Sequence, residues 1–367
     1  MLSDADYMAR ALALAERGRG RTSPNPMVGA VVVSREGIIV GQGYHARAGG
    51  PHAEIYALEA AGPRARGATL YCTLEPCCHV GRTGPCVHRI TAAGVTRVVA
   101  ATADPNPLVS GRGFAYLSAH GIDVRVGARA DEAARLNRAF FTYIRKRRPH
   151  VILKAAISLD GRIAAAPGVR TAITSEAANR HAHALRAEVD AIGVGSATVL
   201  IDDPLLTVRS VHRERPLARV IFDRRLRTPP SARVFSSLDR GPVRIVTTVA
   251  GIAAAPVRAD ALRAAGAELV PCDDGSLRGA LERLASFEIT SLLLEGGAEL
   301  HAAAWDAGLV DAVHLFVAPR TIGPQGVPWL NGRHVALAAL TERTVVPYGP
   351  DIVIEGVPYP AYVHRAD

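Results

Sequence analysis

Short runs of apolar, mostly β-branched residues recur along this chain and alternate with stretches whose apolar residues repeat at helical spacing. That alternation is the strongest constraint on what it can fold into, because strands interleaved with helices build layered α/β domains. In the first part the pattern predicts helix at 4–17, strands at 27–34 (MVGAVVVS) and 38–44, helix at 53–61, strand at 68–72, helix at 86–93, strand at 95–101, helix at 111–120, strand at 122–126 and helix at 130–144. The run RKRRP at 145–149 then interrupts it and reads as a charged linker. A second alternation follows, with strands at 150–157, 189–194, 218–222, 243–249, 267–271 and 290–294, helices at 175–187, 255–265, 276–285 and 297–307, and a β-rich end at 310–317 and 334–357. A chain of 367 residues exceeds one ordinary core. Two domains are expected, 1–146 and 147–367.

The formal net charge is +9, which raises the question of an anionic partner. Only Lys146 and Lys154 are lysines and all other basic residues are arginine, a bias of composition rather than a binding stripe. Aromatics make up 5%, too few for base-stacking platforms, so nucleic acid is not the expected partner. No run of about 18 apolar residues is present, so no membrane span is expected. The start, MLSDADYMARALALAERG, reads as an amphipathic helix capped by Ser3 or Asp4 and not as a secretory signal. A cytoplasmic location with reduced thiols is therefore expected.

Four of the five cysteines, Cys72, Cys77, Cys78 and Cys86, fall within the 15 residues CTLEPCCHVGRTGPC. In a reduced compartment such clustering points to metal. One histidine with two cysteines leaves a fourth tetrahedral position open, the arrangement of catalytic zinc. The zinc-deaminase signature is H-x-E followed by P-C-x-x-C. His52-Ala53-Glu54 and Pro76-Cys77 match it, while Cys86 lies nine positions beyond Cys77 instead of three. Cys86 opens a predicted helix, whose N-terminus favours a thiolate. Cys78 is expected to point elsewhere, although it could exchange roles with Cys77. Cys72 reads as packed core and Cys272 as structural. Glu54 is the candidate proton carrier for a hydrolytic deamination. Residues two apart do not share a helical face, so His52 and Glu54 can serve one site only at a helix end.

In the second half, GVGSAT at 193–198 approaches a dinucleotide-binding turn but ends in Thr198. LLLEGGAEL at 292–300 is a second candidate, an apolar strand ending in Glu295 and followed by a Gly pair and a helix. Lys154 stands out as one of two lysines.

These motifs together support a resemblance. SPNPMVGAVVV, GYHARAGGPHAE, TLEPCCHVGRTGPC and DPNPLVSGRG resemble the deaminase half of the bifunctional riboflavin-biosynthesis deaminase–reductase family. LKAAISLDGRIA, LRAEVDAIGVGSATVLIDDPLLTVR and LLEGGAEL resemble its reductase half, in order over nearly the whole chain. The resemblance implies a cytidine-deaminase-like three-layer α/β domain followed by a dihydrofolate-reductase-like α/β domain. It implies zinc-dependent deamination of 2,5-diamino-6-(5-phosphoribosylamino)pyrimidin-4-one. NADPH-dependent reduction of the product's ribosyl group to ribityl would follow, in a homodimer or homotetramer. By resemblance, His52, Cys77 and Cys86 bind zinc and Glu54 moves the protons. Asn25, His45 and His79 line the pyrimidine pocket. Ala156, Thr198, Asp202 and the 297–303 segment, beginning at Gly297, contact NADPH, and Arg186, Leu206, Arg209 and Glu295 contact substrate, with Lys154 beside them. The chain departs from the family at Arg170, Ala172 and Arg224, where Ser, Trp and Ser are common, and the loss of an aromatic wall bears on nicotinamide binding.

Overall fold

A computed structural model describes residues 2–79, 84–333 and 337–358. The chain divides into two compact units, Met1–Arg147 and Arg148–Asp367.

The first unit contains α1 (Asp4–Glu16), β1 (Gly29–Val33), β2 (Ile39–Tyr44), α2 (Ala53–Ala61), β3 (Thr69–Cys72), α3 (Cys86–Ala92), β4 (Arg97–Ala100), α4 (Arg112–Ala119), β5 (Asp123–Val126), α5 (Ala130–Leu136) and α6 (Arg138–Lys146). Its sheet runs β2-β1-β3-β4-β5. β1 is antiparallel to β2 and β3, and β3, β4 and β5 are parallel. Side chains alternate across the strands. Ala30, Val32, Leu70 and Val98 pack with α2, α3 and α4, whereas Val31, Val33, Tyr71 and Val99 pack with α1 and α5. The result is three layers. Ser3 caps α1 in a capping box with Asp6.

The second unit contains β6 (His150–Ser158), β7 (Arg162–Ala164), α7 (Glu176–Glu188), β8 (Ala191–Gly195), α8 (Ser196–Asp202), β9 (Ala218–Phe222), β10 (Val243–Thr247), α9 (Val249–Ala254), α10 (Pro256–Ala264), β11 (Ala267–Pro271), α11 (Leu277–Ala285), β12 (Ser291–Glu295), α12 (Ala298–Asp306), β13 (Ala312–Ala318), β14 (Val327–Pro328), β15 (Leu340–Tyr348) and β16 (Asp351–Pro358). Nine strands form one sheet in the order β11-β10-β9-β8-β12-β6-β13-β16-β15, and β7 pairs with β14. The strands from β11 to β13 are parallel, and β16 and β15 continue antiparallel. Separate buried clusters cover the two faces. No helix among the described residues is long and apolar enough to cross a membrane.

Three differences from the sequence reading have local causes. The helix expected at 130–144 breaks at Asn137, whose buried side chain accepts from Met27 N–H and donates to Met27 O, both at 2.8 Å. The RKRRP run is not simply a solvated linker. Arg148 is 2% exposed and forms a bidentate pair with Asp311 in the same unit. Helix α8 is not among the expected helices: the GVGSAT run ends strand β8 at Gly195, and from Ser196 the chain forms a seven-residue helix.

The seat of α2 on the sheet depends on two glycines of β2. A Cβ at Gly41 would lie 2.1 Å from Ala57 O, and one at Gly43 would lie 2.4 Å from Tyr56 Cβ. Gly41→Ala is expected to lift α2 and cost about 1–3 kcal/mol through overpacking, measured by denaturant unfolding.

Candidate functional site

His52 is the N-cap of α2, with extended φ −74° and ψ 160°, and Glu54 is in the first turn. Because His52 lies outside the helical spiral, the two side chains need not diverge as residues two apart within a helix do. Cys86 is the first residue of α3. Cys77 lies on the irregular segment between β3 and α3. His52 Nδ1 is 3.2 Å from Cys86 Sγ and 3.4 Å from Cys77 Sγ. These three ligand atoms all lie within 4.8 Å of one another.

The donor set fits zinc, since imidazole and thiolate are its preferred ligands and three leave one position open. A thiol-to-sulfur hydrogen bond from Cys86, with a further contribution from His52, holds Cys77 down to about 4, and the same bond pushes Cys86 up. The backbone N–H of Cys86 also donates to Cys77 Sγ at 3.3 Å. Glu54 is 3% exposed, its Oε2 has no hydrogen-bond partner among the described residues, and burial raises it to about 7. A buried carboxyl titrating near neutrality, with one oxygen free, can exchange protons with a molecule entering the site. Cys78 points away, its thiol 3.8 Å from Leu108 O. Cys72 and Cys272 are buried in core clusters.

His45 packs edge-on to His52, with ring centroids 5.5 Å apart. Its Nδ1 lies 2.9 Å from Pro51 O, which fixes a proton there, so Nε2 accepts from Asn25 Nδ2 at 3.1 Å. Burial favours this neutral form. The structure thus brings Asn25 and His45 to the His52 cluster. His79 has a buried Nδ1 without a hydrogen-bond partner among the described residues. The four residues that follow it lie outside the described residues.

In the second unit, a cavity of about 780 Å³ opens where β6, β8 and β12 end. Ala156, Thr198, Asp202 and Gly297 line it, as do Lys154, Arg186, Leu206, Arg209 and Glu295. Lys154 and Glu295 are register partners on β6 and β12. Arg186 grips Glu295 with Nε–Oε1 at 3.0 Å and Nη2–Oε2 at 2.5 Å. Burial alone would raise Glu295, but Arg186 and Lys154 outweigh it and hold the carboxyl near 2. Burial lowers Lys154, and Glu295 opposes that shift. The Lys154 ammonium also lies 4.9 Å from the centre of the Phe316 ring. Gly296 and Gly297 have φ of 93° and 84°, in the left-handed region that favours glycine.

Two histidines of this cavity were missed individually. His183 is three residues before Arg186 on α7, hence on the same face. It accepts from Arg209 N–H at 3.2 Å, and burial with Arg186 and Arg209 lowers it to about 4. His301 sits with Nε2 3.1 Å from Gly296 N and 3.2 Å from Leu294 O. The i−3 spacing to Arg186 is a usable signal for His183, whereas His301 falls within the 297–303 segment that the resemblance gives to NADPH without being singled out there. Of the departures, Arg170 and Ala172 line the cavity, and Arg170 lowers Asp202 against a larger upward effect of burial.

Residues 1–102 match the family model of the cytidine and deoxycytidylate deaminase zinc-binding region, and residues 149–354 match that of the RibD C-terminal domain. The chain is 45% identical over 320 residues to the riboflavin biosynthesis protein RibD of Aquifex aeolicus, covering 87% of this chain and 88% of that protein. It is similar to the solved structure of Acinetobacter baumannii RibD, with a TM-score of 0.85 and 36% identity over 97% of this chain and 98% of that one. It is also similar to a diaminohydroxyphosphoribosylaminopyrimidine deaminase/5-amino-6-(5-phosphoribosylamino)uracil reductase of Thermotoga maritima, with a TM-score of 0.81 and 35% identity over 97% and 98% of the two chains.

The Arg186–Glu295 pair is buried enough to be read in stability. Arg186→Met leaves a buried carboxylate without its main partner and is expected to cost about 3–5 kcal/mol at pH 7. In the parent, a carboxyl held near 2 contributes stability above the ordinary carboxylate range that is lost as pH falls toward 2. The gap between parent and variant in denaturant unfolding should therefore narrow from pH 7 to pH 3.

Proposed function

The chain belongs to the RibD family of bifunctional riboflavin-biosynthesis deaminases and reductases, and from that premise we propose how its residues divide the work. It uses zinc and NADPH and acts on small phosphoribosyl-pyrimidine substrates. The first unit carries the hydrolytic deamination of 2,5-diamino-6-(5-phosphoribosylamino)pyrimidin-4-one, and the second carries the reduction of 5-amino-6-(5-phosphoribosylamino)uracil to its ribityl form. The observation that carries the first assignment is the convergence of His52 Nδ1, Cys77 Sγ and Cys86 Sγ beside the buried carboxyl of Glu54.

His52, Cys77 and Cys86 would hold the zinc, which would supply the Lewis acidity that makes water a nucleophile near neutral pH. Glu54 takes a proton from the attacking water and delivers it to the departing amino group, which leaves as ammonia. Raised to about 7, Glu54 can both accept and donate at physiological pH. His45, held through Pro51, anchors the Asn25 amide, and Asn25 orients the pyrimidine ring with the hydrogen-bonding capacity that this contact leaves open.

In the second unit NADPH supplies the hydride, which no side chain can. Ala156, Thr198, Asp202 and Gly297 bind the cofactor. Arg186, Leu206, Arg209 and Glu295 bind the substrate, with arginine suited to its phosphate. Lys154, held between Glu295 and Phe316, presents its ammonium to the sugar. Arg170 and Ala172 give this cavity a wall without an aromatic ring at that position.

Glu54→Gln is expected to lower the deamination rate about 10²–10⁴-fold, read as ammonia release, while one zinc per chain remains by metal analysis. The same variant should still reduce preformed deaminated product. Deamination at the parent rate would sink Glu54's role. A chelator is expected to abolish ammonia release and leave NADPH oxidation with the deaminated product intact. NADPH oxidation that stops on chelation would contradict the division between units.

A further inference from the structure

Glu75 lies two residues before Cys77 and has no part in the chemistry above. Its carboxyl is buried, and main-chain donors occupy both of its oxygens. Oε2 accepts from Asp104 N–H at 3.2 Å and Gly111 N–H at 3.0 Å. Oε1 accepts from Gly113 N–H at 2.9 Å and Phe114 N–H at 3.4 Å. Three of these donors surround the start of α4, where N–H groups have no intrahelical partner and an anion is favoured. The carboxylate of one segment thus caps a helix of another.

Two further contacts join the same segments. A Cβ at Gly113 would lie 2.2 Å from Pro76 O, so only glycine allows this approach. The Cys78 thiol reaches Leu108 O. The loop is itself braced, with Asp104 Oδ1 accepting from Asn106 N–H at 2.8 Å and Asn106 Oδ1 from Leu108 N–H at 3.0 Å. By contrast, residues 75–78 belong to no helix or strand. Contacts to the 104–114 loop therefore brace the stretch that carries Cys77.

We propose that Glu75 is a positioning residue for the zinc centre: clamped by four N–H groups of the 104–114 segment, two from the loop up to Gly111 and two from the first turn of α4, it holds Cys77 Sγ within reach of His52 and Cys86. This rests on the reading that Cys77 is a zinc ligand. A carboxylate can satisfy all four donors, whereas a glutamine in either orientation turns its NH₂ onto two N–H groups.

The test is zinc affinity by chelator competition on the full chain, together with the thiolate-to-metal absorption of the cobalt-substituted protein. Glu75→Gln is expected to weaken zinc binding about 10–100-fold and to alter the cobalt spectrum. Met8→Ala, in the cluster on the opposite face of the sheet, should lower the melting temperature and leave both readouts unchanged. Folded Glu75→Gln with parental zinc affinity overturns the proposal, as does an equal affinity loss in Met8→Ala. If Glu75→Gln does not fold, Gly113→Ala, which drives the same segments apart without touching the carboxylate, decides by the same criteria. Failure of the underlying reading is distinct: Cys77→Ser would then bind one zinc with parental affinity.

Discussion

A carboxylate taken out of water must lose its charge or be neutralised by its neighbours, and each unit of this chain is organised around one such group. Glu54 has no arginine or lysine paired with it, and the opposing pull of His52 is smaller than the effect of burial, which raises the carboxyl to about 7. Glu295 is as thoroughly buried, but Arg186 and Lys154 converge on it and keep it ionised near 2. The same side chain thereby titrates near neutrality in one unit and stays an anion in the other. Its surroundings decide which, because desolvation and ion pairing are opposed terms of comparable size.

Sheet direction explains where these groups gather. β2 and β3 are each antiparallel to β1 and so point the same way, and β4 is parallel to β3. Their carboxyl ends share one edge. The connections leaving that edge carry His52, Cys77 and the 104–114 loop. In the second unit β6, β8 and β12 are parallel neighbours, and their ends contribute Ala156, the β8–α8 turn and Glu295. Carboxyl edges of such sheets are where ligand sites form in α/β folds. The helix macrodipole adds to this at α3, whose first residue is Cys86.

Much of this was legible in the residues. The apolar alternation located nearly every strand, since a strand buried on both faces leaves an unbroken apolar run, as SLLLE does in β12. The histidine, the two cysteines and Glu54 were recognisable because zinc chemistry admits few residue types at few spacings. Less legible were residues whose importance lies in a distant partner. Asn137 breaks a helix by bonding Met27, 110 positions away, and Arg148 hides in a basic run because its partner Asp311 is 163 positions on. Glu75 looked like the middle of a cysteine motif, and the amides that satisfy it are 29 to 39 residues downstream.

The sequence by itself therefore determined the alternating architecture and singled out the residue types, His52, Cys77, Cys86 and Glu54, that the fold brings to one place, because periodicity and side-chain chemistry are local properties. Only the tertiary structure decided that Cys77 and not Cys78 faces His52, that His52 stands just outside its helix so that Glu54 can share its site, and that Glu295 stays charged while Glu54 does not. Each of those outcomes depends on which groups from remote segments share a small volume, and so on the distances and the loss of water that set the strength of hydrogen bonds and charges.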